Sequence, residues 1–152
     1  MKVLRTYYIF LLSSVVFSQE KEAIKYEDLY ERKGLTYASD QDSSFNGVVN
    51  ENWPTGIKKL SYTYKNGKPD SKWSDWFNNG QPKEEVEYSD GIKNGLHKQW
   101  YKNGQQKFER TYKNGIHEGK WTEWYENGQS MVEGNFLDGK PDGTWIYWYP
   151  NG

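Results

Sequence analysis

This 152-residue chain has few of the histidine and cysteine side chains that many catalytic and metal sites use. The chain contains two histidines, His97 and His117, and no cysteine, which excludes disulfides, thiol catalysis and thiolate metal sites. Neither histidine forms a His-x-x-x-His pair, and the sequence has no Gly-x-Ser-x-Gly motif and no phosphate-binding loop. We therefore predict no catalytic residue, no cofactor and no metal ligand, and a protein that is not an enzyme.

Carboxylates recur at fixed intervals along the chain. Glu85, Glu109 and Glu133 are 24 residues apart, and paired carboxylates are the residues that glycosidases use. A strictly regular spacing instead favours a structural column of glutamates, with Lys83 and Lys107 as neighbours. A second group of acids shares one turn position and would suit a calcium ion, although solvated turn carboxylates are the simpler interpretation. That group is Asp70, Glu118 and Asp142.

An internal repeat explains these intervals. Asn-Gly or Asp-Gly pairs have their glycines alternately 13 and 11 residues apart, which gives a full period of 24. Such pairs are the strongest short-range hairpin signals, because a type I′ turn needs positive φ at both central residues. His97 falls at a tryptophan position of the repeat and His117 falls in a turn, so repeat drift explains both histidines. The turn glycines are Gly67, Gly80, Gly91, Gly104, Gly115, Gly128 and Gly139, and a last pair is Asn151-Gly152.

Each repeat predicts two β-strands. A helix is excluded because glycine recurs often and costs about 1 kcal/mol in a helix interior, whereas aromatic and β-branched residues favour strands. We expect two-residue loops at one edge of the sheet and longer Gly-x-x-x-Gly connections at the other, at 91–95, 115–119 and 139–143. The predicted fold class is all-β, an elongated antiparallel meander of stacked β-hairpins. The first strand is expected at 72–78, 96–102, 120–126 and 144–150, and the second at 57–64, 81–88, 105–112 and 129–136.

Aromatic residues, at 18% of the chain, supply most of its apolar surface. Alternation along the second strand gives one face with Leu60, Tyr62 and Tyr64 and an opposite face of mixed charge. The first strand is aromatic on both faces, and cross-strand aromatic pairs contribute roughly 0.2–1 kcal/mol each. One of its two columns either packs in the core or forms an exposed strip for a partner or a sugar ring, and it supplies our candidate partner-binding residues. That column is Trp76, Trp100, Trp124 and Trp148; the other is Trp73, Trp121 and Trp145, interrupted by His97.

The N-terminus has the pattern of a signal peptide at residues 1–18. Lys2 and Arg5 precede an apolar run at 7–17 that is too short to span a bilayer, and small residues allow cleavage near Ser18-Gln19. We therefore expect export to the periplasm, the outer envelope or the cell exterior. Without the leader the chain has 18 basic and 21 acidic residues, a net charge of −3 that is too balanced for nucleic acid or an anionic membrane.

Two regions follow the predicted leader. Residues 19–44 form a charged approach segment, in which Lys33-Gly34 could turn 29–31 back onto 35–37. Residues 45–152 form the repeat array. The chain stops at a turn with no returning strand, so we expect the array to be truncated at its C-terminus.

Residues 100–124, which read WYKNGQQKFERTYKNGIHEGKWTEW, resemble the variant MORN repeat found in bacterial proteins labelled YwqK-family antitoxins. The resemblance covers roughly residues 45–152, with four consecutive copies in register. It implies stacked β-hairpins, and the antitoxin label implies a protein toxin as partner. Our first hypothesis is a non-catalytic exported scaffold for protein–protein interaction. The alternatives are an antitoxin-like protein that neutralises a protein toxin and a carbohydrate-binding module that uses exposed aromatics.

Overall fold

The computed structural model describes residues 24–152, which form one long antiparallel sheet and a small separate hairpin. Apart from the two-residue strand Lys68–Pro69, which pairs with the strand before it, strands that follow one another in sequence are neighbours in the ten-stranded sheet, so the predicted all-β meander of stacked hairpins is confirmed. The only helical element among these residues is a 3₁₀ turn, Tyr26–Asp28, and none of their helices is long and apolar enough to cross a membrane. The predicted signal peptide lies outside the described residues.

The strands of the long sheet alternate between the two predicted kinds, but the first kind begins earlier in the sequence than expected. The small sheet pairs β1 (Leu29–Arg32) with β2 (Leu35–Ala38). The long sheet contains β3 (Gly47–Asn52), β4 (Lys58–Lys65), β5 (Lys68–Pro69), β6 (Ser71–Trp76), β7 (Pro82–Ser89), β8 (Ile92–Trp100), β9 (Gln106–Lys113), β10 (Ile116–Trp124), β11 (Ser130–Leu137) and β12 (Lys140–Tyr147).

One set of turns is tighter than the sequence suggested. Asp90 and Gly91 have φ values of 51° and 84°, and Ser89 pairs directly with Ile92, which defines a two-residue type I′ turn. The expected longer Gly-x-x-x-Gly connection is therefore wrong, because its first glycine closes the turn and Gly95 lies inside β8. The same turn recurs at Asn66-Gly67, Asn114-Gly115 and Asp138-Gly139.

The other set of turns is longer than the two residues expected. At Asn79-Gly80 only the glycine has positive φ, at 84°. The Phe77 N–H donates to the Gln81 carbonyl oxygen at 2.8 Å, and the Gly80 N–H donates to the Phe77 carbonyl at 3.0 Å. This is a three-residue loop, a type I turn followed by a left-handed glycine. Two turn types that differ in length by one residue therefore alternate along the sheet.

Three of the three-residue turns are each tied to the next one by an asparagine side chain. The side-chain amide donates to a backbone carbonyl 23 residues further along the chain. A carboxylate has no hydrogen to donate, which explains why this turn carries Asn-Gly while the type I′ turns accept Asn or Asp. The three bonds run from Asn79 to Lys102 (3.0 Å), from Asn103 to Glu126 (2.9 Å) and from Asn127 to Pro150 (2.8 Å).

The buried apolar side chains form a thin core on one face of the sheet, whereas buried Ser74 and Thr122 lie on the other face. The N-terminal hairpin, residues 29–38, and the residues just before it provide a second layer at one end only, where Ile24 and Leu29 pack against the core cluster. A hydrogen bond of 2.8 Å from the Thr36 N–H to the Gly67 carbonyl fixes this hairpin to the sheet. The core cluster is Ala38, Phe45, Val49, Leu60 and Tyr64, and the buried apolar residues of later repeats are Val86, Phe108 and Val132.

The asparagine bonds between turns can be tested by removing their donor. Asn103→Asp replaces the amide that bonds Glu126 with a carboxylate that repels the same carbonyl. We expect the free energy of unfolding in urea to fall by about 1–2 kcal/mol. Asn114→Asp is the matched control, since Asn114 belongs to a type I′ turn and uses its backbone N–H to bond Asn94. Equal losses in the two variants would contradict this role.

Candidate functional site: the aromatic face

One face of the long sheet, called the aromatic face, carries Trp73 and its repeat equivalents. The rings of Tyr62 and Trp73 stack at 4.2 Å with an interplanar angle of 14°, and Trp73 also contacts Tyr64 at 5.0 Å and Tyr88 at 5.2 Å. Tyr26 from the N-terminal segment meets Tyr62 edge-on at 5.5 Å. Burial raises the pKa of the Tyr62 and Tyr64 hydroxyls, so both stay neutral. This end of the face is therefore packed and covered.

At its other end the aromatic face forms an open groove. Phe136 contacts Trp121 and Trp145, each at a ring distance of 5.1 Å. Gly134 leaves the space that Trp145 occupies, because a methyl group there would overlap the indole ring. The groove has a volume of about 370 Å³ and Tyr147, whose side chain is 71% exposed, lies at its edge. Its lining is Trp121, Val132, Phe136, Pro141, Trp145 and Tyr147.

The tryptophan column that we selected as partner-binding lies on the opposite face. Trp76, Trp100, Trp124 and Trp148 are half-buried. Among the described residues they make no ring–ring contact, so the aromatic stack expected on both faces exists on the aromatic face alone. In three of these four residues the backbone carbonyl instead accepts a hydrogen bond from a side chain of the preceding repeat. The donors are Trp53 Nε1 to Trp76 (3.2 Å), the Tyr101 hydroxyl to Trp124 (3.0 Å) and the Tyr125 hydroxyl to Trp148 (2.9 Å).

The glutamate column belongs to this opposite face as a structural element. Glu85 bonds Lys72 at 2.7 Å and Glu109 bonds Lys98 at 2.8 Å, both across neighbouring strands. The prediction that Lys83 and Lys107 are the neighbours of this column is therefore wrong. An antiparallel partner on the next strand lies closer than a residue two positions along the same strand. The hydrogen bond from Lys98 lowers the pKa of Glu109. The third member, Glu133, pairs in register with Thr122 and Ile146.

The acids at the shared turn position also have structural contacts. The Glu118 carboxylate accepts a hydrogen bond of 3.0 Å from the Asp138 backbone N–H, which caps the next turn. Asp70 accepts a bond of 2.9 Å from the Ser71 hydroxyl. Between residues 24 and 152, no three His, Cys, Asp or Glu side chains are grouped as metal ligands.

Three polar residues interrupt the aromatic face near its middle. His97 is 6% exposed, with Nε2 2.7 Å from Glu84 Oε1 and Nδ1 3.2 Å from Lys93 Nζ. The sequence assigns His97 to repeat drift, and the structure adds that His97 contacts two further residues that depart from the repeat. The available signal was that these three departures fall within less than one 24-residue period. His97 replaces Trp73, Trp121 and Trp145; Glu84 replaces Leu60, Phe108 and Val132; and Lys93 replaces Pro69 and Pro141.

The contacts of His97 indicate which of its ring nitrogens carries the hydrogen. Lys93 Nζ can only donate, so Nδ1 is the acceptor and Nε2 carries the hydrogen that bonds Glu84. That hydrogen bond lowers the pKa of the Glu84 carboxyl, and burial opposes the shift. Both ring nitrogens are thus occupied inside a closed contact. The arrangement holds the imidazole in place and leaves neither of its nitrogens free to act on a substrate.

His117 packs against aromatic rings of the aromatic face, beside this cluster. Its ring is 4.4 Å from that of Tyr112 and 4.8 Å from that of Trp121. Burial, followed by the positive charge of Arg110, lowers its pKa. Arg110 lies 3.9 Å from the Trp121 ring centroid and pairs with Glu123, so this part of the face combines aromatic packing with a fixed ion pair.

The polar cluster predicts a pH dependence. Folding lowers the pKa of the Glu84 carboxyl. The contribution of Glu84 to the free energy of unfolding is therefore present above its ordinary pKa of 4.5 and is lost as the pH falls through the lower pKa of the folded state. Glu84→Gln should cost about 1 kcal/mol at neutral pH, and its difference from the parent protein should shrink below about pH 4.5. Urea unfolding across pH measures this. Glu126→Gln, at an exposed position outside the cluster, is the control, and parallel pH curves for parent and Glu84→Gln would contradict the pairing.

Comparison with known proteins agrees with the repeat geometry. The model of the MORN repeat variant matches residues 69–90, 93–114 and 118–138. Each match contains a strand of the first kind, a three-residue turn and a strand of the second kind, and ends at the type I′ turn or its first residue. A search of curated proteins found no match. MORN repeats are generally thought to mediate interactions with proteins or membranes. The central part of this chain is thus built from three MORN repeats of the variant type.

Proposed function

We propose that this protein is a non-catalytic exported scaffold that binds a protein partner through its aromatic face. The observation that carries the proposal is the asymmetry of that face. Its N-terminal end is covered by the chain's own hairpin, while its far end presents the groove around Phe136 and Trp145. An open apolar groove, on a face whose other end is covered by the chain itself, favours an external segment as its occupant.

The composition of the groove suits a protein partner. Interaction hot spots are enriched in tryptophan, tyrosine and arginine near the centre of a contact surface. Here Trp121 and Trp145 supply rings, Tyr147 is exposed, and Arg110 lies against Trp121 on the same face. The opposite face is less suitable, because its lysines and glutamates already neutralise each other in cross-strand pairs.

The place of binding follows from the predicted leader. A signal peptide at residues 1–18 would put the partner in the periplasm, the outer envelope or the cell exterior. Neutralisation of a protein toxin is a narrower version of the same proposal, and it stays a prediction from the resemblance of residues 45–152 to antitoxin-like repeats.

Two exposed tyrosines allow a matched test. Tyr147 lies in the groove and is 71% exposed, whereas Tyr149 is 79% exposed and lies outside the groove lining. After capture of the partner from the envelope fraction by the mature chain, Tyr147→Ala should weaken its affinity by about tenfold. Tyr149→Ala should leave the affinity unchanged.

The same titration compares the alternatives. If Trp124→Ala abolishes binding and Tyr147→Ala does not, the binding surface is the tryptophan column selected from the sequence. If no protein is captured but glycans bind the mature chain, the carbohydrate-binding alternative replaces the proposal. Each variant is first compared with the parent by thermal unfolding, so that loss of fold is not read as loss of binding.

A further inference from the structure

A second recess lies at the covered end of the aromatic face, between the N-terminal hairpin and the sheet. It has a volume of about 360 Å³, which is within the range of small-molecule sites. Buried Tyr64 and half-buried Trp73 line it from the sheet. Tyr26 and Tyr30, which are 44% and 43% exposed, line it from the N-terminal side. Four aromatic residues therefore line one small space.

The charge of this recess has a single sign. Within residues 24–152, Glu31 is the one charged residue that lines it. Of the basic residues adjacent in sequence to the lining, Lys68 bonds Asp90 at 2.9 Å, Lys72 bonds Glu85 at 2.7 Å and Arg32 lies 4.6 Å from the Tyr37 ring centroid. Aromatic faces carry a negative quadrupole, so rings and carboxylate act together to attract a cation and to repel an anion.

The walls of the recess are held in place before any ligand enters. Trp73 Nε1 donates to the Thr63 carbonyl oxygen at 2.7 Å, and its ring stacks on Tyr62. Tyr30 stacks on Tyr37 at 5.7 Å across the small hairpin. Because these rings are already ordered, ligand binding would not carry the entropic cost of ordering them.

We propose that this recess binds a trimethylammonium group. Such a cation is bulky, weakly hydrated and unable to donate a hydrogen bond, and aromatic side chains with an adjacent carboxylate are the surroundings that favour it. The group has two sources, a free choline-type molecule or the choline headgroup of a lipid. The site is separate from the groove and does not depend on the proposed function.

Calorimetric titration of the mature chain with choline chloride tests the proposal. We expect saturable binding, and binding of 3,3-dimethylbutanol, its uncharged isostere, weaker by at least about tenfold. Glu31→Gln and Tyr30→Leu should each weaken choline binding by about fivefold or more. Glu27→Gln removes an acid outside the recess that pairs with exposed Lys25, and it should change nothing.

The outcomes show whether the positive charge of the ligand and the walls of the recess determine binding. Absence of saturable binding, or equal binding of choline and its uncharged isostere, would overturn the proposal, as would unchanged affinity in Glu31→Gln together with Tyr30→Leu. Thermal unfolding of each variant shows whether the fold is intact.

Sedimentation with phosphatidylcholine vesicles then assigns the source of the trimethylammonium group. Co-sedimentation that free choline abolishes by competition indicates the lipid headgroup, and binding of free choline alone indicates the small molecule. Tyr147→Ala should leave both results unchanged, which keeps this test independent of the partner groove.

Discussion

The whole structure depends on cross-strand contact between aromatic side chains on one face of a single sheet. A sheet without a second layer leaves every side chain partly open to water, and short aliphatic residues cannot cover one another across strands. Large rings can, because they reach both the opposite residue and its diagonal neighbours. The contacts of Trp73 with Tyr62, Tyr64 and Tyr88 illustrate this, as do those of Phe136 with Trp121 and Trp145.

The two turn types keep those rings in register. A shift of one residue in any strand would turn its rings to the opposite face. The type I′ turns fix one edge through backbone geometry, and the three-residue turns fix the other through asparagine bonds to the following repeat. Each repeat is thus stabilised by its contacts with the neighbouring repeats, as in other linear repeat proteins. The polar cluster of His97, Glu84 and Lys93 fits into this ladder because its members satisfy one another.

The sequence was sufficient for the fold because turn dipeptides and strand alternation are local signals. It could not separate the two turn types, since Asn103-Gly104 and Asn114-Gly115 are the same dipeptide with different backbones. It also could not pair Glu84 with His97, because that contact depends on the register between β7 and β8. The sequence could not distinguish the two tryptophan columns for a similar reason. Both columns have the same spacing, and only the structure shows that the rings of one contact each other.

The binding surfaces were the least predictable part of the molecule. The groove at Trp145 depends on Gly134, which reads in the sequence as one more departure from the repeat. The recess at Trp73 depends on where the N-terminal hairpin docks, and neither composition nor period contains that information. Within residues 24–152, the second layer is present at one end of the aromatic face and absent at the other, and the two surfaces lie at these two ends.

The central claim is that the ladder on the aromatic face, and not the tryptophan column on the other face, holds the sheet together. Comparison of Trp121→Leu with Trp124→Leu by equilibrium urea unfolding tests it most directly, because the two residues lie on the same strand and differ in ring contacts. We predict a loss of about 2–3 kcal/mol for Trp121→Leu and of less than about 1 kcal/mol for Trp124→Leu. Equal losses, or a larger loss for Trp124→Leu, would contradict it.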